Sequence, residues 1–184
     1  MKKLPSNFSL QKYGLNVRLV NENDAGFILS LRTDPIRTKY MVTLDYNIKK
    51  QIKWMQEYKK REKMGLDYYL IYSNLEDKPI GLNRISHIDF QAKTAKTSSW
   101  IVVRGLHYES IKMKIIQNEI GFNLLELDTL WCDVHKVNKR AIRILKLFAY
   151  KIIDMGTEYN NIAVEKEAFY KACENKMIDV YKNS

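Results

Sequence analysis

The sequence predicts an α/β fold built on a mixed sheet, and three observations support this prediction. The chain has 184 residues, of which 46% are hydrophobic and 28% charged, which is ordinary for a globular domain with its own core. The spacing of apolar residues changes repeatedly between the helical and the extended period. The later predicted strands are separated by helices, which favours parallel neighbours, whereas three earlier strands follow each other as an antiparallel meander.

The first half of the chain predicts a strand, two helices and the meander. Residues 16–20 alternate between apolar and polar, and a helix follows that ends at Pro35. The second helix covers residues 47–63, where Ile48, Ile52 and Met55 recur at helical spacing behind Asn47, a suitable cap. The meander strands are predicted at 67–73, 78–88 and 96–104.

The second half predicts alternating helices and strands. Helices are expected at 108–125 and 139–147, and strands at 127–134 and 149–155. The tail is ambiguous, with a possible helix at 164–176 and a possible last strand at 177–182. No repeat or Pro/Gly-rich linker interrupts the chain, so we expect one domain over residues 1–184, with 1–14 as a loosely ordered arm.

Composition narrows the classes of function. The net charge of +10, from 31 Lys and Arg against 21 Asp and Glu, favours acidic partners: nucleic acid, a coenzyme pyrophosphate or a nucleotide-linked substrate. A solvated basic surface explains the same charge. No apolar run is long enough for a transmembrane helix or a secretory signal, so we expect no membrane partner. Cys132 and Cys173 have neither CxxC nor zinc-ligand spacing, which fits a reducing cytoplasm and no metal.

Three stretches in order resemble the GNAT family of acetyl-CoA-dependent N-acetyltransferases. Residues 120–151 match its later motif, with Phe122, Leu125, Leu127, Val134, Asn138 and Ala141 in register. Residues 31–41, "LRTDPIRTKYM", are similar to the branch that includes ribosomal-protein N-terminal acetyltransferases and acetyltransferases of nucleotide-linked amino sugars. Residues 68–89 resemble its second and third strands. The resemblance implies a mostly antiparallel central sheet with a splayed parallel strand pair and helices on both faces.

The resemblance also implies a coenzyme site. The main chain of Ile101, Val102 and Val103 is expected to pair with the pantetheine arm and to polarise the thioester carbonyl. Without the resemblance, these residues are simply the core of a buried strand. Asn138 is expected to bind the coenzyme arm, and a plain helix N-cap is the alternative.

The pyrophosphate loop departs from the family pattern. Its glycine positions fall on about Leu106, Tyr108 and Ser110, and only Gly105 is nearby. Ser110 is a candidate cap for the next helix, whose amides would face an anion, and Arg104 adds positive charge. The predicted coenzyme contacts are therefore Arg104, Gly105, Tyr108 and Ser110.

The proton-transfer residues are less defined. Many family members have a Tyr seven residues after the Asn as thiolate proton donor, but here that position is Leu145. Tyr150, Tyr108 or a water is the candidate donor. His87 and Asp89, at the end of the strand predicted at 78–88, are candidate bases on the acceptor side, or polar residues of a surface turn. His135 either lines the cleft or belongs to a solvated loop.

The acceptor site is expected between the first two helices. Arg32, Arg37, Tyr40 and Met41 would form one wall of it, and Arg37 suits a phosphate or carboxylate; a solvated linker is the alternative. The predicted function is an N-acetyltransferase, monomeric or homodimeric, with acetyl-CoA as cosubstrate and a nucleotide-linked amino sugar as acceptor. The alternatives are a protein N-terminal acetyltransferase, a non-catalytic acyl-CoA-binding regulatory domain and, on charge alone, a nucleic-acid-binding protein.

Overall fold

The computed structural model describes residues 2–176, and the possible strand at 177–182 lies outside them. The described chain forms one eight-stranded sheet in the order β1-β2-β3-β4-β5-β6-β8-β7. The strands are β1 (Ser9–Lys12), β2 (Leu15–Leu19), β3 (Asp67–Ser73), β4 (Pro79–Asp89), β5 (Thr94–Val102), β6 (Thr129–His135), β7 (Lys151–Asp154) and β8 (Tyr159–Glu165). The helices are α1 (Ala25–Arg32), α2 (Ile48–Met64), α3 (His107–Glu119), α4 (Lys139–Leu147) and α5 (Lys166–Lys176).

Helices cover both faces of the sheet. Alternate residues of β3 show this, because successive side chains of a strand point to opposite faces. Tyr68 and Leu70 belong to the cluster that includes residues of α3 and α5, whereas Tyr69 and Ile71 pack with α1 and α2. The predicted α/β fold with a mixed, mostly antiparallel sheet is confirmed.

Residues 2–14 pack against the rest of the fold, whereas the sequence suggested a loose arm over residues 1–14. Strand β1 pairs with β2 in antiparallel register. Leu4 and Phe8 are buried in the core, and the Leu4 amide donates a hydrogen bond to the Tyr68 hydroxyl at 3.1 Å. The local pattern of β1 is weak, and its order comes from pairing and burial against the rest of the sheet.

The carboxyl-terminal strands also differ from the prediction. Strand β8, which the sequence did not indicate, lies between β6 and β7 and is antiparallel to both. Strand β7 is therefore not parallel to a neighbour, although a helix precedes it. Asn160 is buried with Ile162 and Val164 on the inward face of β8, and this polar residue hid the alternation.

The parallel pair β5–β6 opens along its length. Pairing runs from Thr94–Thr129 to Lys96–Trp131 and then stops, although both strands continue. On its other side, β5 has a register shift against β4 near Ser99, whose φ is +52°. A bulge of this kind bends a strand and increases its twist, so it turns β5 away from β6. The predicted splayed pair is thus present.

Gly81 of β4 keeps the end of β5 close to α3. A Cβ at this position would lie 2.6 Å from Met113 Cε and 2.8 Å from the Ile101 carbonyl oxygen, which is a backbone atom. We therefore expect Gly81→Ala to lower the free energy of unfolding by about 1–3 kcal/mol, measured by urea denaturation. Gly26→Ala in α1, where a Cβ meets nothing within 4 Å, is the control and should cost nothing. Equal stability of the two variants would contradict the tight packing.

Candidate active site

Three adjoining cavities follow the opening between β5 and β6. The first, called here the outer groove, has a volume of about 580 Å³ and lies between the end of β5 and the starts of α3 and α4. The second, the inner cavity of about 150 Å³, lies deeper between the two strands. The third, the basic pocket of about 440 Å³, lies beyond the β5 bulge beside α1 and α2. Asn138 borders the first two, and Ser99 borders the second and third, so neighbouring cavities share lining residues.

The outer groove contains the strand end predicted for the coenzyme arm. Ile101, Val102 and Val103 all line it. The Val103 amide donates to the Ile80 carbonyl of β4 at 2.8 Å, so the peptide groups of Val102 point the other way, into the groove. The Val102 carbonyl there accepts a hydrogen bond from the Arg37 guanidinium.

Basic side chains line the end of the outer groove at the start of α3. Arg104, His107 and Arg140 line this end, and the Arg140 guanidinium contacts His107 Nδ1. Gly105, at φ +85°, makes the left-handed turn that leads into the helix. Amide groups at a helix start attract anions, so this end is suited to a phosphate.

Tyr108 and Ser110, both predicted as coenzyme contacts, lie in different surroundings from those the sequence suggested. Tyr108 is exposed, lies outside the cavity linings and carries Lys112 Nζ 5.3 Å from its ring centre. Ser110 lines the groove but does not cap α3, because the helix begins after Leu106, which makes no side-chain cap. Ser110 lies within the helix, and its carbonyl accepts from Trp100 Nε1 at 3.0 Å.

Asn138 both caps α4 and borders the cleft. Its side-chain oxygen accepts from the Ala141 amide at 3.2 Å, which satisfies an otherwise unpaired amide at the helix start. The same side chain borders the outer groove and the inner cavity. The cap therefore fixes an amide group at the mouth of the strand opening, and the two roles considered for Asn138 coexist.

The inner cavity holds a residue that the sequence did not single out. Lys114 of α3 is only 2% exposed and lines this cavity together with Cys132, His135 and Leu145. It lies between Met113 and Ile115 in a stretch that reads as an apolar stripe, and a lysine inside such a stripe was the available signal.

Tyr150, the candidate proton donor, lies behind the cavity. Its side chain is buried, and its hydroxyl donates to Asn118 Oδ1 at 2.9 Å. Burial raises the pKa of Tyr150 well above its ordinary value, and the neighbouring Cys132 adds to the shift. Tyr150 is absent from the linings of the three cavities, whereas Leu145 borders the inner one.

The candidate bases His87 and Asp89 lie at the closed end of the strand pair. Asp89 pairs with Thr94, the first residue of β5, and its carboxylate accepts from the Gln91 and Ala92 amides of the turn. His87 is exposed, with φ +51°. The antiparallel register places the end of β4 beside the start of β5, away from the opening. This position differs from the acceptor-side placement that the sequence suggested, whereas His135 does line the inner cavity.

The residues of the predicted acceptor wall border different cavities. Arg37, Tyr40 and Met41 border the inner cavity, and Arg37 and Tyr40 also border the outer groove. The Asp34 carboxylate holds Arg37, with Oδ2 2.9 Å from its Nε. Arg32 borders the basic pocket instead, with Nη1 3.4 Å from Ser99 Oγ.

The basic pocket also contains residues that sequence reasoning missed. Arg84, Lys50, Trp54 and Tyr69 line it. Tyr69 and Arg84 are direct cross-strand partners on β3 and β4, so their side chains share the face toward α1 and α2. Strand alternation indicated that face, but only the register between strands brings the two residues together.

Arg84 is oriented by a buried carboxylate. Its guanidinium makes a forked contact with Asp67, which is 2% exposed and also bonds Arg61 Nε at 3.0 Å. Two arginines share one carboxylate, so a net positive charge remains beside the pocket. Arg84 also lies 5.2 Å from the ring centre of Trp54.

Among the described residues, no group of three or more His, Cys, Asp or Glu side chains could hold a metal ion. None of the helices in residues 2–176 combines the length and apolar character needed to cross a bilayer.

No family model and no curated protein matches the sequence. Solved structures do match. The apo structure of FdhC, a nucleotide-linked sugar GNAT, aligns with a TM-score of 0.82 and 27% identity over 92% of this chain and 96% of that one. Spermidine N-acetyltransferase from Vibrio cholerae, in complex with CoA and spermine, aligns with a TM-score of 0.73 and 13% identity over 85% of this chain and 98% of that one.

The second match shows a common fold, and the first adds detectable sequence similarity along nearly the whole chain. Both neighbours are acetyltransferases of the type that the sequence motifs predicted. The predicted resemblance is thereby confirmed: the chain has the GNAT fold, which it shares with these acetyltransferases.

Proposed function

We propose that the protein transfers the acetyl group of acetyl-CoA to a primary amine of a nucleotide-linked amino sugar. The observation that carries this proposal is the opened β5–β6 pair, with a positively charged groove on one side and a positively charged pocket on the other. The coenzyme and the proposed acceptor both carry phosphates that lie far from their reacting atoms. The outer groove and the basic pocket could each hold one set of phosphates, with the reacting atoms between them.

The outer groove suits the coenzyme. A pantetheine arm placed along Val102 would pair with its groove-facing peptide groups as a neighbouring strand does. Arg37 now bonds the Val102 carbonyl, so it would share or release that contact when the arm binds. The pyrophosphate would lie at the start of α3, near Arg104, His107 and Arg140.

The reaction requires direct attack of a neutral amine on the thioester carbon. The C–N bond forms, the carbonyl electrons move to oxygen, and a groove-facing main-chain N–H stabilises that charge. Collapse of the intermediate breaks the C–S bond and leaves a thiolate. His135 lines the inner cavity, so it is the histidine whose position suits acceptance of the amine proton.

The basic pocket supports an anionic acceptor. Arg32, Arg84 and Lys50 line it against a single lining carboxylate, Asp45. A polyamine or a peptide ammonium would meet repulsion there, whereas a sugar nucleotide diphosphate would gain several charge-assisted hydrogen bonds. The similarity to FdhC, described as a nucleotide-linked sugar GNAT, supports an anionic acceptor. The spermidine N-acetyltransferase neighbour, which has 13% identity, instead binds the polyamine spermine.

A non-catalytic acyl-CoA-binding domain is the second candidate. Gly105 is the only glycine of the coenzyme loop, and the family's proton-donor position is the apolar Leu145. These two departures reduce the usual phosphate contacts and remove the usual acid. They do not close the strand opening, so coenzyme binding is expected under either candidate.

Coenzyme binding and turnover separate these possibilities. We expect acetyl-CoA at 100 times its Kd to stabilise the native state by about 2.7 kcal/mol, seen as a higher Tm. Thiol release with a panel of amines should then be fastest for a nucleotide-linked amino sugar. Binding without turnover on any acceptor would favour the regulatory domain, and faster turnover of peptide amino termini would favour the protein N-terminal alternative. A Tm unaffected by acetyl-CoA would overturn the coenzyme site.

Lys50 tests the charge of the acceptor pocket. We expect Lys50→Gln to raise KM for the nucleotide-linked amino sugar by about fivefold, because an exposed charge contact contributes on the order of 1 kcal/mol. KM for the same amino sugar without its nucleotide diphosphate should not change. Lys49→Gln removes the adjacent exposed lysine, which lies outside the pocket lining, and serves as the matched control. Equal effects of the two substitutions on both acceptors would argue against an anionic acceptor in this pocket.

Asn138 tests the link between helix cap and coenzyme site. Asn138→Ser keeps an N-cap acceptor, so its stability should match the wild type, whereas Asn138→Ala should lose about 1 kcal/mol. Both variants lose the amide at the mouth of the opening, and we expect both to bind acetyl-CoA more weakly, measured by titration calorimetry. If Asn138→Ser binds as tightly as the wild type, Asn138 acts through the cap alone.

A further inference from the structure

The inner cavity is built around a buried ammonium group. Lys114 Nζ donates to Thr97 Oγ1 and to Gln117 Oε1, both at 3.0 Å. It lies 5.2 Å from the ring centre of Tyr150 and 6.0 Å from that of Trp100. These contacts come from β5, from α3 itself and from the segment after α4. They hold the side chain at the point where the two strands separate.

The surroundings of Lys114 are not those of a structural ion pair. In the described part of the chain its ammonium forms no ion pair with a carboxylate, and it interacts with the Cys132 thiol and the Tyr150 ring. Asp133, His135 and Arg37 line the same cavity. Burial lowers the pKa of Lys114 to about 8, and the nearby Cys132 opposes that shift. A buried amine of this kind destabilises the fold, so packing alone does not account for it.

The departing sulfur needs a positive, proton-bearing group at this place. Leu145, at the position of the family's usual donor, lines the same cavity as Lys114 and has no proton to give. The inner cavity shares lining residues with both the outer groove and the basic pocket. A thioester that extends from the groove into the inner cavity would have its sulfur beside the Lys114 side chain.

We propose that Lys114 is the catalytic acid that stabilises and protonates the coenzyme A thiolate, in place of the missing hydroxyl at Leu145. This inference rests on the proposed function. When the C–S bond breaks, its electron pair goes to sulfur, and the Lys114 ammonium transfers one proton to form the thiol and a neutral amine. The proton that the acceptor nitrogen gives to His135 passes to solvent, and solvent returns one proton to Lys114, which restores the ammonium. No oxidant, reductant or metal is needed, and charge balances over the cycle.

The direct test measures the pKa of the bound coenzyme thiol from thiolate absorbance in the ultraviolet. In the wild type, the thiol of bound CoA should titrate at least one pH unit below free CoA, because a buried cation favours the thiolate. Lys114→Met removes the charge at similar length and should abolish most of that shift. Lys112→Met, on the same helix but outside the cavity lining, should retain it.

Kinetics give a second readout. Loss of a general acid should lower kcat by about 10²–10⁴-fold, while KM for acetyl-CoA stays within about threefold. An acid must be protonated to act, so wild-type kcat should fall as pH rises above about 8, the pKa of Lys114. That alkaline limb should be absent in Lys114→Met. Lys114→Arg, which keeps a fixed charge but cannot release a proton, should keep the lowered thiol pKa and lose the same limb.

The Lys114→Met variant is expected to fold. The pKa of Lys114 is 10.5 in the unfolded chain and about 8 in the native protein, so the unfolded chain binds more protons than the native one between pH 8 and 10.5. The stability lost to this group is therefore largest below pH 8 and is recovered toward pH 10.5. Lys114→Met should match or exceed the wild-type Tm at pH 7, and this gain should shrink near pH 10.

The outcomes separate the two proposals. If neither protein shows a CoA-induced rise in Tm, the proposed function fails and this inference fails with it. If both bind CoA and the thiol pKa and the alkaline limb are the same in wild type and Lys114→Met, the assignment of Lys114 is overturned while the transferase remains. The assignment of Lys114 as the acid is supported if Lys114→Met loses both the lowered thiol pKa and the alkaline limb of kcat while Lys112→Met keeps both.

Discussion

The structure depends on the end of hydrogen bonding between β5 and β6 after Lys96 and Trp131. Sheet backbone groups in the interior of a protein need partners, so an opening there is costly unless something else supplies them. Arg37 meets the Val102 carbonyl, and Asp34 in turn holds Arg37. The Val102 carbonyl thereby has a partner while it faces the outer groove, which is the space that we propose for the coenzyme arm.

The distribution of charge follows the same axis. Basic groups stand at the start of α3 on one side and around Arg32 and Arg84 on the other. Between them lies Lys114, with burial that lowers its pKa. The two basic regions therefore border the small inner cavity from different sides, which is the arrangement on which the proposed pair of anionic substrates rests.

The buried polar residues of this region carry a stability cost that the rest of the core offsets. The core on the α3 side joins aromatic and aliphatic residues from six or more elements, such as Tyr72, Phe122 and Phe169, all completely buried. Asp67, with its two arginines, shows how the same fold keeps a charge stable when partners exist. Lys114 lacks a carboxylate of this kind among the described residues, which is why its position argues for a task in the cleft.

The sequence by itself determined the order of most elements, because periodicity and caps are local properties. It also indicated the GNAT resemblance and the segments 101–105, 135–138 and 31–41 that border the cavities. It misjudged β1 and missed β8, whose order depends on pairing with distant strands.

Only the tertiary structure decided which side chains meet. Antiparallel register carries His87 and Asp89 to the closed end of the sheet, and the same kind of register joins Tyr69 to Arg84. Lys114 looks like an interruption in an apolar stripe until α3 packs over the strand opening and turns that residue into the lining of a cavity. The physical reason is that spacing along a chain fixes the face of an element, whereas register and packing fix what that face touches.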